Sequence, residues 1–291
     1  MNYTDIIYAT KGNAAIITIN RPATLNALTY HTLAEIRQAV DIAVADTQVI
    51  GIIFTGEGRA FSSGLDASVL LEVTKAGAVP AEVAEVEEVE EVEEVEEVEE
   101  VEEVEEDKLP GLFSYLMEVP KPVISAINGV AAGGGLILAL MSDLRFAASS
   151  ASLTTVFLKR GLIAEHGSSW ILPRLVGVGR ALDLLWASDK IPANEAMALG
   201  LVDKVFESNA LLNEAIAYLD KLAATSAPLA IAETKRLIYN HLGTGYRTAL
   251  IEAEAAQNRF VNADDAREGA ASFIEKRPPK FTRWGLSKAP G

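Results

Sequence analysis

Two short loops rich in small residues could bind an oxygen atom that becomes negatively charged during a reaction. One is the glycine triplet 133–135, which follows a buried-strand pattern at 123–127 and opens an apolar helix. The other is the stretch 58–66, which follows a second strand pattern at 49–55. Free N–H groups at a helix start can bind an anion, and glycine lets the bound group approach closely. Taken alone, each loop could equally be a tight packing turn without chemistry.

Three further motifs accompany these loops, and together they resemble the crotonase superfamily of enoyl-CoA hydratases and isomerases. The resemblance runs from about residue 6 to residue 281, apart from one insertion. It implies an α/β fold, namely a crotonase-type spiral of ββα units with a C-terminal helical trimerisation region. The motifs are NRPATLNAL at 20–28, AFSSGLD at 60–66, KPVISAINGVAAGGG at 121–135, LPRLVG at 172–177 and EKRPPKF at 275–281.

The resemblance also implies a substrate and a set of site residues. The backbone N–H groups of Leu65 and Gly134 would form an oxyanion hole for the thioester carbonyl of an acyl-CoA. Coenzyme A would enter only as part of the substrate, with no separate cofactor. No metal-ligand spacing occurs in the sequence, and no metal site is expected. The residues predicted to contact the substrate or CoA are Ala23, Leu25, Ser63, Leu65, Asp66, Gly134 and Lys276.

Two carboxylates that the resemblance implies for a hydratase are absent. The glutamate that should follow the glycine triplet corresponds to Ile137, and the second glutamate corresponds to Phe157. Neither side chain can transfer a proton, so ordinary hydration of a double bond is in doubt.

Two other acidic residues are predicted to have structural roles. Asp66 is expected to cap the helix after the first loop, and Asp143 to be held in a hydrogen-bonded structural role.

One acid, Glu165, occupies a position where dienoyl-CoA isomerases and 3-hydroxyacyl-CoA hydrolases of the superfamily carry a catalytic aspartate. We expect apolar surroundings, including Ile163 and Ile137, to raise its pKa, which suits a proton shuttle. The neighbouring His166 could orient Glu165 or act as a base itself. The alternatives are an exposed Glu165 that caps the next helix, where negative charge is favourable, and a structural His166.

Three functions therefore remain open. The first is an acyl-CoA enzyme that shifts a double bond through an enolate, with Glu165 moving the proton. The second is hydrolysis of a thioester or of a carbon–carbon bond, with the same oxyanion hole and Glu165 acting on water. The third is a CoA-ester-binding protein that has lost catalysis. The missing glutamates favour the third function, and the presence of Glu165 opposes it.

The net charge of −16 comes from one segment. Residues 82–106 contain 16 Glu and no basic residue, and the remaining 25 acidic residues balance the 25 basic ones. Valine recurs every three residues there, whereas an α-helix advances about 100° per residue, so no apolar stripe forms. This pattern predicts a mobile Glu/Val-rich repeat insertion. An acidic arm that binds a partner is the alternative.

The other patterns divide the chain into a strand-rich front and a helical tail. We predict a crotonase core at 1–188 and a helical oligomerisation region at 189–291, which would form a homo-oligomer, a trimer or a dimer of trimers. Within the core, a helix is expected at 109–117, and the chain is expected to pass from the turn at Asn128 directly to the glycine-rich helix.

Composition narrows the class of protein further. There is no cysteine, so disulfide frameworks and thiolate chemistry are excluded. The sequence contains no signal-peptide pattern and no apolar run long enough to cross a bilayer, which predicts a cytoplasmic protein without membrane contact. No basic stripe occurs, so nucleic acid is not an expected partner.

Overall fold

The computed structural model describes residues 3–76 and 109–285. The predicted repeat insertion at 82–106 lies outside these residues. The described strands are β1 (Ile6–Lys11), β2 (Ala14–Ile19), β3 (Gly51–Gly56), β4 (Ala60–Ser62), β5 (Val123–Ile127), β6 (Val130–Ala132), β7 (Leu144–Ala148), β8 (Ser152–Thr154), β9 (Ile191–Pro192) and β10 (Lys204–Phe206). The helices are α1 (Tyr30–Ala45), α2 (Ala67–Ala76), α3 (Gly134–Met141), α4 (Ser168–Val176), α5 (Val178–Ala187), α6 (Ala193–Leu199), α7 (Leu211–Thr225), α8 (Pro228–His241), α9 (Tyr246–Phe260) and α10 (Asp264–Glu275).

The strands form two sheets, and the fold is the predicted mixed α/β class. The larger sheet has the order β1-β2-β3-β5-β7-β10, and the smaller has the order β4-β6-β8-β9. The first two strands form an antiparallel hairpin, after which the larger sheet is parallel. Every residue of β3 and β5 is buried, as expected for parallel strands covered on both faces.

A repeated unit explains why the two candidate loops meet. β3, β5 and β7 lie in the larger sheet, and each is followed by a short strand, β4, β6 or β8, in the smaller sheet. A helix follows directly after β4 and after β6. Because β4 and β6 pair in parallel, the loops that leave them for α2 and α3 lie side by side.

Two local predictions in the core were wrong. Residues 109–117 do not form an α-helix but an irregular segment that ends in a 3₁₀ turn at Ser114–Met117. Gly111 has a φ of 105°, which no α-helix contains, and the Ser114 hydroxyl donates to the Pro110 carbonyl. The chain also does not pass directly from the turn at Asn128 to α3, because β6 intervenes.

The chain after residue 188 is not purely helical. β9 pairs with β8, and β10 pairs with β7, so both strands complete sheets of the core. The continuous helical part begins at Leu211. The division at residue 188 and the oligomerisation of the tail stay predictions.

A buried ion pair fixes α8 to the core. Asp143 accepts hydrogen bonds from the Lys235 ammonium at 2.8 Å, the Tyr239 hydroxyl at 2.9 Å and the Val123 backbone N–H at 2.7 Å. The hydrogen-bonded structural role predicted for Asp143 is confirmed. None of the helices in the described ranges is both long and apolar enough to cross a membrane.

Candidate active site

The two predicted oxyanion loops lie against each other. The Leu28 N–H donates to the Gly64 carbonyl, and the Asp66 N–H donates to the Leu28 carbonyl, both at 2.8 Å. Successive N–H groups of extended backbone alternate in direction, so the intervening Leu65 N–H points away from Leu28. A Cβ placed on Gly134 would lie 3.5 Å from the Leu65 nitrogen. Within residues 3–76 and 109–285, neither the Leu65 nor the Gly134 N–H has an acceptor.

Glycine is required in these loops because backbone packs on backbone. Gly64 has a φ of 92°, and a Cβ there would lie 2.7 Å from the Ala132 carbonyl oxygen. A Cβ on Gly135 would lie 2.5 Å from the Ser62 carbonyl oxygen. Both distances are shorter than real Cβ contacts. The packing interpretation and the oxyanion interpretation of the glycine pattern are therefore compatible.

Asn26 fixes the first loop, and sequence reasoning did not select it as a site residue. Its side chain accepts from the Arg21 N–H at 2.9 Å and donates to the carbonyls of Glu57 and Ala60 at 3.0 and 2.7 Å. The side chain is fully buried, and its backbone is left-handed, with a φ of 58°. Asparagine tolerates this conformation, so its place in the NRPATLNAL motif has a structural reason.

Asp66 caps α2, as predicted. Its carboxylate accepts from the Ser68 N–H at 3.1 Å and the Ser68 hydroxyl at 2.9 Å, and it lies 3.4 Å from the Arg21 guanidinium. These hydrogen bonds, with the nearby guanidinium, lower the pKa of Asp66. Asp66 is thus held ionised beside Leu65 and is a poor candidate for proton transfer near neutral pH.

The fold brings together most of the residues predicted to contact CoA. The Ser63 N–H donates to the Leu25 carbonyl at 3.0 Å, which ties the loop containing Ala23 to the loop containing Asp66. Lys276 is at the C-terminal end of α10, with an exposed side chain and a φ of 53°. In the part of the chain that the structure describes, no hydrogen bond or ion pair joins its side chain to the others. The contacts of all these residues with CoA stay predictions.

Glu165 and His166 lie in the loop before α4. The His166 Nε2 atom is 3.5 Å from the Glu165 Oε2 atom, and His166 has a φ of 50°. The segment at Gly111 and Leu112 lies between this loop and the oxyanion loops. A Cβ on Gly111 would lie 3.6 Å from the His166 Cα atom, and a Cβ on Gly134 would lie 3.6 Å from a Leu112 methyl group.

Burial shifts both side chains of this loop towards their neutral forms. The Glu165 side chain is 25% exposed and the His166 side chain 14%. Burial raises the pKa of Glu165 and lowers the pKa of His166. The raised pKa predicted for Glu165 is confirmed, but the expected contribution of Ile163 is wrong, because Ile163 is 77% exposed.

The Glu165 side chain does not cap α4. The helix begins after Gly167, and no side chain caps it. The Ser168 N–H and hydroxyl donate to the Glu165 backbone carbonyl, at 2.9 and 2.7 Å, and leave the carboxylate out of the cap. The alternative interpretation of Glu165 as a capping residue is therefore wrong.

The positions of the two missing glutamates are buried. Ile137 is inaccessible to solvent and Phe157 is 6% exposed. Because both side chains are hydrocarbons, neither position supplies a proton-transfer group. The nearby Val156 has a φ of 55°, which a β-branched residue rarely adopts. One of its methyl groups would lie 3.3 Å from a Cβ on Gly133. Nothing in the sequence signals this strain, which is typical of functional sites.

The chain resembles known proteins along its whole length. The family described as Enoyl-CoA hydratase/isomerase matches residues 9–284. The Short-chain-enoyl-CoA hydratase of Clostridium acetobutylicum is 32% identical, with 95% of this chain and 97% of the relative covered. The Crotonyl-CoA hydratase of Syntrophomonas wolfei is 33% identical, with 97% and 99% covered.

Solved structures agree with these sequence relatives. An enoyl-CoA hydratase/isomerase from Mycobacterium paratuberculosis superposes with a TM-score of 0.80 at 29% identity, with 97% of this chain and 99% of the other covered. The DspI protein of Pseudomonas aeruginosa superposes with a TM-score of 0.79 at 28% identity, with 97% and 98% covered.

Proposed function

Because the chain belongs to the enoyl-CoA hydratase/isomerase family, we propose that it shifts a double bond in an acyl-CoA through an enolate, with Glu165 as its one working carboxylate. The supporting observation is the proximity of two backbone N–H groups, of Leu65 and Gly134, which have no acceptor among the described residues, to a loop that carries the half-buried acid Glu165. An acyl-CoA substrate follows from the family. The type of reaction and the residue roles are the proposal.

The oxyanion loops would stabilise charge on the thioester oxygen. When a proton leaves the carbon chain of the substrate, negative charge moves to this oxygen, which accepts hydrogen bonds from the Leu65 and Gly134 N–H groups. The Gly134 N–H lies at the start of α3, where the helix dipole also favours negative charge. Donors fixed in place before the reaction need no reorganisation as the charge develops.

Glu165 would move the proton. Its carboxylate takes a proton from one carbon of the acyl chain, the electron pair of that C–H bond enters the enolate, and the same proton returns to a different carbon. The double bond shifts, and the substrate and product have the same atoms. A pKa raised by burial brings the acid and base forms of Glu165 closer to equal population near neutral pH.

Hydration of a double bond is the second candidate. The names of two relatives, a Short-chain-enoyl-CoA hydratase and a Crotonyl-CoA hydratase, favour it. In this chain Ile137 and Phe157 occupy the positions of the hydratase glutamates, so Glu165 and His166 would have to activate water and protonate carbon between them. Hydrolysis, and binding without catalysis, remain weaker alternatives on the same site.

A panel of acyl-CoA esters distinguishes these functions. The protein is incubated with enoyl-, dienoyl- and 3-hydroxyacyl-CoA esters, and the products are analysed by mass and double-bond position. Isomerisation leaves the mass unchanged, and hydration adds one water. Hydrolysis of the thioester releases free CoA, whereas hydrolysis of a carbon–carbon bond cleaves that bond and leaves the CoA ester intact. We expect a shifted double bond, and little hydration of crotonyl-CoA. Efficient hydration of crotonyl-CoA would replace the isomerase proposal with the hydratase one.

We further propose that CoA is needed only as part of the substrate, and that the chain works as a trimer or a dimer of trimers. Analytical ultracentrifugation of the purified protein measures the assembly. Activity of protein stripped with a chelator and dialysed tests the absence of a separate cofactor. A monomer, or activity lost on dialysis and restored by an added cofactor, would contradict these expectations.

A further inference from the structure

The guanidinium of Arg21 joins three parts of the chain that meet at the first oxyanion loop. Its Nη1 atom donates to the Ala27 carbonyl and lies 3.4 Å from the Asp66 carboxylate. Its Nε atom lies 3.4 Å from the Asp5 carboxylate. The Arg21 side chain is only 22% exposed, so protein groups cover most of it.

These contacts lie on both sides of the Leu65 N–H. Leu28, the residue after Ala27, binds the backbone before and after Leu65 through its own N–H and carbonyl. Asp66 directly follows Leu65. Arg21 therefore contacts both the segment that holds the first oxyanion loop and the side chain next to the oxyanion donor, so a shift of the guanidinium would move that donor.

Asp5, the third partner of the guanidinium, is fixed by a different part of the fold. The buried Glu35 carboxylate accepts hydrogen bonds from the backbone N–H groups of Thr4, Asp5 and Ile6, at 2.7, 2.9 and 3.1 Å. The hydroxyl of Thr29, the N-cap residue of α1, donates to the Asp5 carboxylate at 3.3 Å. The acid that holds the Nε atom is therefore anchored to α1, outside the oxyanion loop.

We propose that Arg21 is a positioning residue that fixes the Leu65 N–H for the charge that develops on the thioester oxygen. This inference rests on the proposed function, because it takes the Leu65 N–H to be an oxyanion donor. Arginine suits the role because its planar guanidinium directs several N–H groups at fixed angles, whereas lysine is a point charge on a flexible stem. The two carboxylates, Asp5 and Asp66, already neutralise this cation, which leaves no unbalanced positive charge there for a phosphate of CoA.

The test replaces the guanidinium and keeps its charge. Arg21→Lys is compared with the matched control Arg145→Lys, because the Arg145 guanidinium likewise joins backbone carbonyls, of Ser142 and Leu201, to a carboxylate, that of Asp203. Thermal denaturation first establishes that both variants are folded. Because a displacement of about 1 Å can cost about 10²-fold in rate, we expect kcat of Arg21→Lys to fall about 10- to 100-fold. Affinity for the CoA ester, and kcat of the control, should stay nearly unchanged.

Infrared spectroscopy observes the oxyanion hole without turnover. The probe is butanoyl-CoA with an isotope label on its thioester carbonyl, whose stretching frequency falls when the oxygen accepts hydrogen bonds. We expect the bound ester to show the same lowered frequency in the original protein and in Arg145→Lys, and a smaller lowering in Arg21→Lys. A purely structural role for Arg21 would reduce Tm and leave this frequency unchanged.

The infrared band also separates failure of this inference from failure of the proposed function. If no ester is turned over, but the band is lowered in the original protein and less so in Arg21→Lys, the proposed reaction fails and the inference stands. If the band is not lowered in the original protein, the proposed oxyanion hole and the inference fail together. If Arg21→Lys matches Arg145→Lys in both kcat and band, the inference alone is overturned.

A second variant keeps the test decisive if Arg21→Lys does not fold. Asp5→Asn removes the charge beside the Nε atom and keeps the Asp5 backbone N–H that binds Glu35. We expect losses in the same direction as for Arg21→Lys, but smaller, in kcat and in the lowering of the carbonyl frequency. An unchanged kcat and an unchanged band in folded Asp5→Asn would overturn the inference.

Discussion

The oxyanion loops and the loop of Glu165 supply two different kinds of chemical group. The oxyanion loops offer backbone N–H groups, whose positions depend on close backbone packing at Gly64 and Gly135 and on the buried Asn26 side chain that holds the first loop. The other loop offers two side chains, Glu165 and His166, whose Oε2 and Nε2 atoms lie 3.5 Å apart. The first arrangement can serve many reactions, whereas in the proposed mechanism the second determines which reaction occurs. Replacing acids while keeping the amides is therefore a direct way to change the reaction on one fold.

Two carboxylates show how strongly position matters. Asp66 accepts hydrogen bonds from Ser68 and lies beside Arg21, and these lower its pKa. Glu165 is half-buried, and this burial raises its pKa. Groups whose environments push their pKa values apart take different roles, and the one with the raised value suits proton transfer near neutral pH. The comparison favours a structural role for Asp66 and supports the proposed role of Glu165 in proton transfer.

Replacing the carboxylate of Glu165 should give the largest effect. Glu165→Gln keeps the size of the side chain and much of its hydrogen bonding but cannot shuttle a proton. Positioned acid–base catalysis contributes about 10²–10⁴-fold, so kcat should fall by that factor. Affinity for the CoA ester, measured by calorimetry, should stay nearly unchanged. Full turnover by this variant would end the one-carboxylate mechanism.

Removing one oxyanion donor should cost nearly as much. Gly134→Pro deletes an N–H at the first position of α3, where proline is compatible with a helix. Loss of one such donor typically lowers kcat by about 10²–10³-fold.

The matched control for this variant is Gly134→Ala, which keeps the N–H. Its added Cβ would meet its nearest neighbours at ordinary distances of 3.5 to 3.6 Å. Thermal denaturation first establishes that both variants are folded. If proline and alanine reduce kcat equally, the loss reflects packing, and the oxyanion role of Gly134 is wrong.

The contrast between backbone groups and side-chain environments also explains which features the sequence could predict. The long buried strands β3 and β5 and the glycine-rich turns have strong local patterns, and so does the pair of backbone donors that follows from them. β4, β6 and β8 have only three residues each and depend on pairing with distant strands, so no local periodicity signals them.

Side-chain environments and cavities depend on tertiary contacts. The exposure of Ile163 and the left-handed backbone of Val156 have no local signal in the sequence. A cavity between the core and the C-terminal helices is lined by Met141, Trp170 and Trp284, which together span more than a hundred residues of sequence and carry no common motif. Such features follow from the assembled fold and not from any window of the sequence.

The raised pKa of Glu165 also predicts a pH-dependent effect on stability. The folded protein holds this proton more tightly than the unfolded chain, so the contribution to stability is present at low pH and lost as pH rises through the folded-state pKa. The Glu165→Gln variant has no carboxyl proton, so its stability does not include this pH-dependent loss. The Tm of Glu165→Gln relative to the original protein should therefore be higher at about pH 8 than at about pH 4.

The control for this measurement is internal. The pKa of His166 is lowered by burial, and protonation of His166 destabilises both proteins as the pH falls, so its effect largely cancels in the difference. A Tm difference between the two proteins that does not change with pH would show that Glu165 titrates alike in the folded and unfolded states.

The smallest expected effect is at His166, and it separates an orienting histidine from a catalytic one. The residue has a φ of 50°, and asparagine adopts this conformation more readily than most residues, so His166→Asn preserves the backbone of the loop. If His166 only supports Glu165 through the 3.5 Å contact, kcat should fall by less than about tenfold, well below the usual contribution of an acid–base group. The pH profile of kcat should keep the ionisation that Glu165→Gln removes. A loss in His166→Asn as large as that in Glu165→Gln, with disappearance of the same ionisation, would make His166 the base and Glu165 the residue that positions it.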